Sequence, residues 1–209
     1  TLDRVTIAST GNATNFGDAH RQTGQAATVA SSTRAVTGGG VYSGTNSATN
    51  NNIDFFTMSS QADGLDFGDL PITSRGVSGC SSPTRGIFFL GDNAGSTKVN
   101  TIEYVTISTT GNSSDFGDST VTARYSSGCS NAVRGLNFGG NTGSATNVID
   151  FITIATLGNA IDFGDLLAAT SDFGGTGFSS PTRGVVAGGG GINTIQYVKR
   201  KDIIILVPE

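Results

Sequence analysis

The chain has 209 residues with 31 Gly, no Trp, one Met, one His and only 13% charged residues, and carries a net charge of -4. This glycine content, roughly twice the usual frequency, together with abundant Ser, Thr and Asn, excludes a helical protein and points to turns and strands. No apolar run approaches the roughly 18 residues of a membrane-spanning helix, and 36% hydrophobic residues with modest charge exclude a disordered chain.

The elements repeat in order along the chain, and three landmarks define the unit. The first is a strand with alternating burial preference, Asp3–Ile7, recurring at 54–58, 103–107 and 150–154 and beginning again at Gln196, with spacings of 51, 49, 47 and 46 residues. A Gly-Asn pair follows it, at Gly11-Asn12, Gly111-Asn112 and Gly158-Asn159, and is expected to reverse the chain. The second landmark is Phe-Gly-Asp, centred on Gly17, Gly68, Gly117 and Gly164: Phe16 and Asp18, Phe67 and Asp69, Phe116 and Asp118, Phe163 and Asp165. The third is an arginine after Ser/Thr-rich residues, Arg34, Arg85, Arg134 and Arg183, followed by a short apolar run and a glycine cluster.

Each unit therefore predicts four short strands. Strand one is small and alternating, as in Val77-Ser78-Gly79-Cys80; strand two follows the arginine; strand three starts at Asp or Glu; strand four surrounds Phe-Gly-Asp. Four strands in about 48 residues is the size of a propeller blade. The lack of large residues in strand one suits strands converging on a central channel, and the drift in repeat length suits blades better than a tight solenoid. The expected fold is an all-β propeller with about four blades visible, the alternative being another repeat β architecture. Residues 1–198 form the tandem repeat domain, with units starting near 3, 54, 103 and 150 and a partial one at 196, and residues 199–209 form a non-repeat strand or tail. The first and last units are partial. Either the N-terminal strand pair completes the last blade, or upstream sequence belongs to a larger ring or array; Thr1 reads as a processed or fragmentary beginning.

An apolar strand closing on a double glycine, then a strand with an early aromatic (Phe55, Tyr104, Phe151, Tyr197), then an aromatic in strand four, resembles the Kelch repeat, with Phe where Kelch has Trp and Arg4 in place of the aromatic in the first unit. The motif Ser-Ser-Pro-Thr-Arg-Gly, at 81–86 and 179–184, with the strand and Phe-Gly-Asp patterns, also resembles Gly/Ser/Thr-rich tandem repeats in structural proteins of tailed viruses infecting marine bacteria. That resemblance implies a virion component of a tail or fibre. Because repeats need capped or closed ends, other virion proteins and copies of itself are the expected partners, and loops on the scaffold are expected to contribute to host adsorption, with a host surface glycan as a further partner. The alternative is an extracellular carbohydrate-binding propeller or adhesin module, against which the absence of Trp and the presence of only four Tyr weigh.

No enzymatic chemistry is expected. The three Asp-Phe-Gly triplets lack every other kinase signature. A calcium loop would receive only two carboxylates per unit from Asp66/Asp69, Asp115/Asp118 or Asp162/Asp165. In the preferred reading Asp caps a turn and Phe fills the space between blades. The recurrent arginines could capture an anion, but eleven of the sixteen acids also occupy repeat positions, so ion pairs linking blade to blade are expected. The glycine clusters lack the residues of a phosphate loop and read as tight turns. His20 reads as an isolated surface residue, and Cys80 and Cys129, at equivalent positions, as small buried hydrophobes without a disulfide. No cofactor and no metal are expected, and the acidic, dispersed charge excludes a nucleic-acid partner. The run Ile203, Ile204, Ile205, Leu206 and Val207 departs from the repeat and is expected to contact a partner or to serve as the last blade's outer strand.

Overall fold

The computed structural model describes residues 1–42, 48–93, 95–173, 177–191 and 193–199. They are all-β, arranged as a four-bladed β-propeller. Two strands precede the blades, β1 (Leu2–Arg4) and β2 (Thr14–Gly17), and β3 (Thr23–Gly24) leads into blade 1. Blade 1 consists of β4 (Ala27–Ala30), β5 (Arg34–Gly38), β7 (Asn50–Thr57) and β8 (Leu65–Ser74), with the short β6 (Val41–Tyr42) pairing with β3. Blade 2 is β9 (Ser78–Ser81), β10 (Arg85–Phe89), β11 (Thr101–Thr106) and β12 (Ser114–Asp118), and blade 3 is β13 (Ser127–Ser130), β14 (Arg134–Phe138), β15 (Thr146–Thr153) and β16 (Ile161–Thr170). Blade 4 shows three strands, β17 (Gly177–Ser179), β18 (Arg183–Ala187) and β19 (Ile195–Lys199).

Every pairing within a blade is antiparallel, in the order strand one, two, three, four, as the repeat predicts. Strand three pairs with strand four across a register shift at the same place in each complete blade, for example between Ile102 and Glu103 and between Ile149 and Asp150. This bulge sets Asp54 opposite Asp66, Glu103 opposite Asp115 and Asp150 opposite Asp162. The N-terminal pair does not complete blade 4: among the described residues β1 pairs only with β2, and the edge of β18 is taken by β19.

The core lies between blades rather than within one sheet. One cluster joins Val29, Val36 and Phe55 of blade 1 to Val105 and Ile107 of blade 2. A second joins Cys80 and Ile87 to Ile152 and Ile154, and a third joins Cys129 to Val186 and Val198. Inner strands approach so closely that glycine is required. A Cβ on Gly128 would collide with the Gly79 carbonyl, and one on Gly177 with the Gly128 carbonyl. The glycines ending strand two are turns: Gly39, Gly139 and Gly188 have φ of 72°, 54° and 66°.

Candidate functional site: blade interfaces and axial channel

Arg34 and Arg85 join one blade to the next through backbone, not through a carboxylate. Arg34 Nη1 donates to the Ile107 carbonyl (3.2 Å) and Arg85 Nη1 to the Ile154 carbonyl (2.9 Å). Each guanidinium also lies over the strand-three aromatic of its own blade, 4.5 Å from the Phe55 ring centre, 4.8 Å from Tyr104, 5.2 Å from Phe151 and 5.3 Å from Tyr197 for Arg34, Arg85, Arg134 and Arg183. The expected Arg–Asp ion pairs are therefore corrected. Among the described residues the arginines that pair with acids are Arg21, Arg75 and Arg124, whereas each repeated guanidinium lies over its aromatic and those of Arg34 and Arg85 are also held by a carbonyl.

Phe-Gly-Asp is the receiving half of a second clasp. Phe67, Phe116 and Phe163 meet Phe55, Tyr104 and Phe151 of their own blade edge-on, at 6.0, 6.2 and 6.1 Å. The Gly-Asn turn of the next blade then closes over the motif. Asp69 N–H donates to Asn112 Oδ1 and Asp118 N–H to Asn159 Oδ1, both at 3.0 Å, while Ser113 and Ala160 N–H donate to the Asp69 and Asp118 carbonyls. Asp63 replaces Asn in blade 1, accepting from Asp18 N–H at 2.9 Å. The Gly-Asn pair is thus a docking element and not simply a reversal. The two carboxylates of the supposed calcium loop serve different neighbours: Asp66 faces Asp54, and Asp69 accepts from Asn52 Nδ2 at 3.2 Å.

A third clasp runs along the inner strands. Ser81 Oγ accepts from Ala30 N–H and donates to its carbonyl, Ser130 Oγ does the same for Ser81, and Ser179 Oγ donates to the Ser130 carbonyl. These inner strands surround an axial cavity of about 770 Å³, reached by residues of all four blades. At its mouth Gln25, Tyr125 and Asp172 have φ of 60°, 54° and 57°, matching Gly76 at 64°. Non-glycine residues in this region are costly and persist only when their surroundings impose the geometry. Here a backbone relay imposes it: Gly76 N–H to the Gln25 carbonyl, Tyr125 N–H to Gly76, Phe173 N–H to Tyr125. Tyr125 then lies across Gly76 and donates to Gln25 Oε1 at 2.9 Å.

Three features escape the repeat. Asp92, wholly buried, accepts from Arg75 Nε (3.1 Å) and Arg124 Nη1 (2.6 Å), and this partner raises the Arg75 pKa. Its legible signal is that Asp92 is an acid outside every repeat position. His20 is not isolated: Nδ1 lies 3.0 Å from Asp54 Oδ1, and Asp66 completes a cluster within 4.8 Å. Arg21 Nη1 stands 3.5 Å from Asp54 and 3.7 Å from Asp66, so the guanidinium already supplies the positive charge a cation would bring. The strand-three acids form a buried series that takes donors from the preceding unit: His20 for Asp54, and Thr120 for Asp150 at 2.5 Å. Burial raises the carboxyl pKa of Glu103 and of Asp150, opposed by hydrogen bonds from Ser113 and Thr120 respectively.

Cys80 and Cys129 are free and buried as expected, and burial pushes the Cys129 thiol up to about 11 and Cys80 higher. Ile203 to Val207 lie outside the described residues. Among the described residues no helix is long and apolar enough to cross a membrane. The chain matches no protein-family model and no curated protein.

Proposed function

We propose that the chain is a non-enzymatic structural module of a virus particle, part of a tail or fibre, contributing to host adsorption, with other virion proteins and copies of itself as partners. The observation that carries the non-enzymatic reading is where the repeated polar side chains end. Arg34 and Arg85, Asn112 and Asn159, and the inner-strand serines Ser81, Ser130 and Ser179 are spent on the backbone of the neighbouring blade, which makes a rigid scaffold presenting loops. The viral setting rests on the likeness of the Ser-Ser-Pro-Thr-Arg-Gly and Phe-Gly-Asp repeats to tailed-virus structural proteins. Antibodies raised against the chain are expected to decorate intact tailed particles in immunogold images and to slow their adsorption to host cells. Undecorated particles with unchanged adsorption would overturn the proposal.

A second reading, carbohydrate binding by an extracellular propeller, draws support from the axial cavity, whose rim offers the Gln25 amide, the Tyr125 hydroxyl and the Asp172 carboxylate. A glycan array separates the two: binding of a defined sugar that is lost in Asp172→Ala favours this second reading. The first is preferred because the Tyr125 ring is already engaged by Gly76 and by the Arg124 guanidinium 4.9 Å from its centre, and its hydroxyl by Gln25.

A further inference from the structure

One contact is made twice among the described residues. The face a blade turns to its successor carries apolar residues of strands one, two and three: Val29, Val36, Ile53 and Phe55 in blade 1, each 8% exposed or less. Strand three of the successor seats two residues over this face, Val105 and Ile107 on blade 1, Ile152 and Ile154 on blade 2. The arginine then donates to the carbonyl of the second of them.

Among the described residues blade 4 carries the same face without a cover. Phe178, Ile195 and Tyr197, at the positions of Val29, Ile53 and Phe55, are 61%, 70% and 58% exposed, and Arg183 already stands over Tyr197. The covering half is exposed at the other end of the series. Just beyond β1, Val5 and Ile7 stand at the sequence positions of Val105 and Ile107, and are 63% and 98% exposed against 3% and 1%.

Blade 1 is not built to cover blade 4 in this way. Blades 2 to 4 approach their predecessors through glycines, Gly79, Gly128 and Gly177 in strand one and Gly86, Gly135 and Gly184 in strand two, where a Cβ would lie 2.9 Å or less from the preceding blade. Blade 1 has Thr28 and Ala35 at these positions, and Ala30 where the clasping serine belongs. Phe178, larger than Val29, Cys80 or Cys129, stands at the point of closest approach on blade 4. The β1–β2 hairpin would approach with strands three and four, which carry none of these strand-one and strand-two positions. Its own chain holds it on blade 1, through Asp18 N–H to Asp63 Oδ1, Gly64 N–H to the Asp18 carbonyl at 2.8 Å, and His20 on Asp54, with Val5 and Ile7 facing away.

We infer that the open face of blade 4 docks the β1–β2 hairpin of a second copy, so that chains join head to tail. Val5 and Ile7 cover Phe178, Val185 and Tyr197, and Arg183 donates to the Ile7 carbonyl, as Arg34 does to Ile107. The docked hairpin stays on its own blade 1, so the order of contacts along the assembly is the order within one chain. Such a heterologous interface builds a ring if the rotation closes and a filament if it does not. The inference rests on blade geometry alone and is independent of the viral reading.

The test mixes two single variants of the full chain, Ile7→Cys and Phe178→Cys, under mild oxidation; wild type, whose Cys80 and Cys129 are buried, gives the background. A covalent dimer containing one of each variant is expected, and its absence overturns the inference. The mass from light scattering should rise with concentration for wild type and stay at the monomer for Phe178→Asp. Ile7→Asp should act alike and leaves the core untouched, which keeps the test valid if Phe178→Asp misfolds. A wild-type mass independent of concentration at the monomer value overturns the proposal. So does an intrachain disulfide formed at every dilution by the Ile7→Cys/Phe178→Cys double variant, since that places the chain's own hairpin on the face.

Discussion

Glu103 concentrates the chemistry of the strand-three acids in one residue. Its counterparts Asp54 and Asp150 take a donor from the residue two positions beyond the preceding Phe-Gly-Asp, His20 and Thr120. For Glu103 that position is Pro71, which has no N–H. Burial, opposed by the Ser113 hydroxyl and reinforced by Asp115, raises its pKa. A carboxyl raised in the folded state binds its proton more tightly there than in the unfolded chain, so its contribution is fullest below the unfolded value, about 4.3. That contribution is lost as pH rises through the folded value. Glu103→Gln should therefore raise Tm at pH 7, with the advantage over wild type shrinking as the pH is lowered toward 4. Thermal unfolding of both proteins across this range checks it, and a Gln variant that melts lower at pH 7 contradicts the account. The corresponding substitution at Asp92 should instead destabilise the fold. Asp92→Asn leaves Arg75 and Arg124 sharing a buried site without their counter-ion and should cost about 3–5 kcal/mol, read from urea unfolding. The repeat made the acids at 54, 103 and 150 legible as a series. It could not show that they are buried, because that depends on the bulge that turns them inward.

Between elements, the turn asparagine decides whether two blades are latched. Asn159→Ala removes the acceptor for Asp118 N–H and should lower stability by about 1 kcal/mol, a Tm decrease of roughly 2–4 °C for a chain of this size. Asn12→Ala should leave Tm unchanged in dilute solution, because a Cβ on the neighbouring Gly11 would meet nothing within 4 Å. Equal losses from the two substitutions would contradict the clasp. Strand order, the small residues of strand one and the turn glycines could be read from the sequence, since they follow from alternation and from backbone geometry that only glycine adopts freely. The partners of the repeated polar residues could not. Counting arginines against acids suggested ion pairs, whereas the carbonyls that receive Arg34 and Arg85 leave no trace in the identities of Ile107 and Ile154. The role of Asn112 and Asn159 was hidden likewise, because a Gly-Asn pair is also a good turn.

For the whole molecule, a core placed between blades means that no blade buries its faces alone, and stability should be shared through the interfaces in series. The link between blades 2 and 3 offers the clearest place to cut. A Cβ at Gly135 would collide with Cys80 Sγ and stand 3.1 Å from Ile152 Cγ1, inside the cluster that joins the two blades. Gly135→Val should therefore push these blades apart while leaving the cluster between blades 1 and 2 and the one between blades 3 and 4 in place. In wild type, hydrogen exchange of β10 and β14 should report one shared opening free energy, with β1 and β2, two-stranded and exposed, exchanging far sooner. In the variant the protection of β10 and of β14 should separate, and urea unfolding should broaden into two steps with a smaller apparent m-value. A variant that unfolds in one step, at a lower midpoint but with m unchanged, would mean that the blades are coupled through the axis rather than face to face. The serine relay Ser81–Ser130–Ser179 would then be the element to remove next.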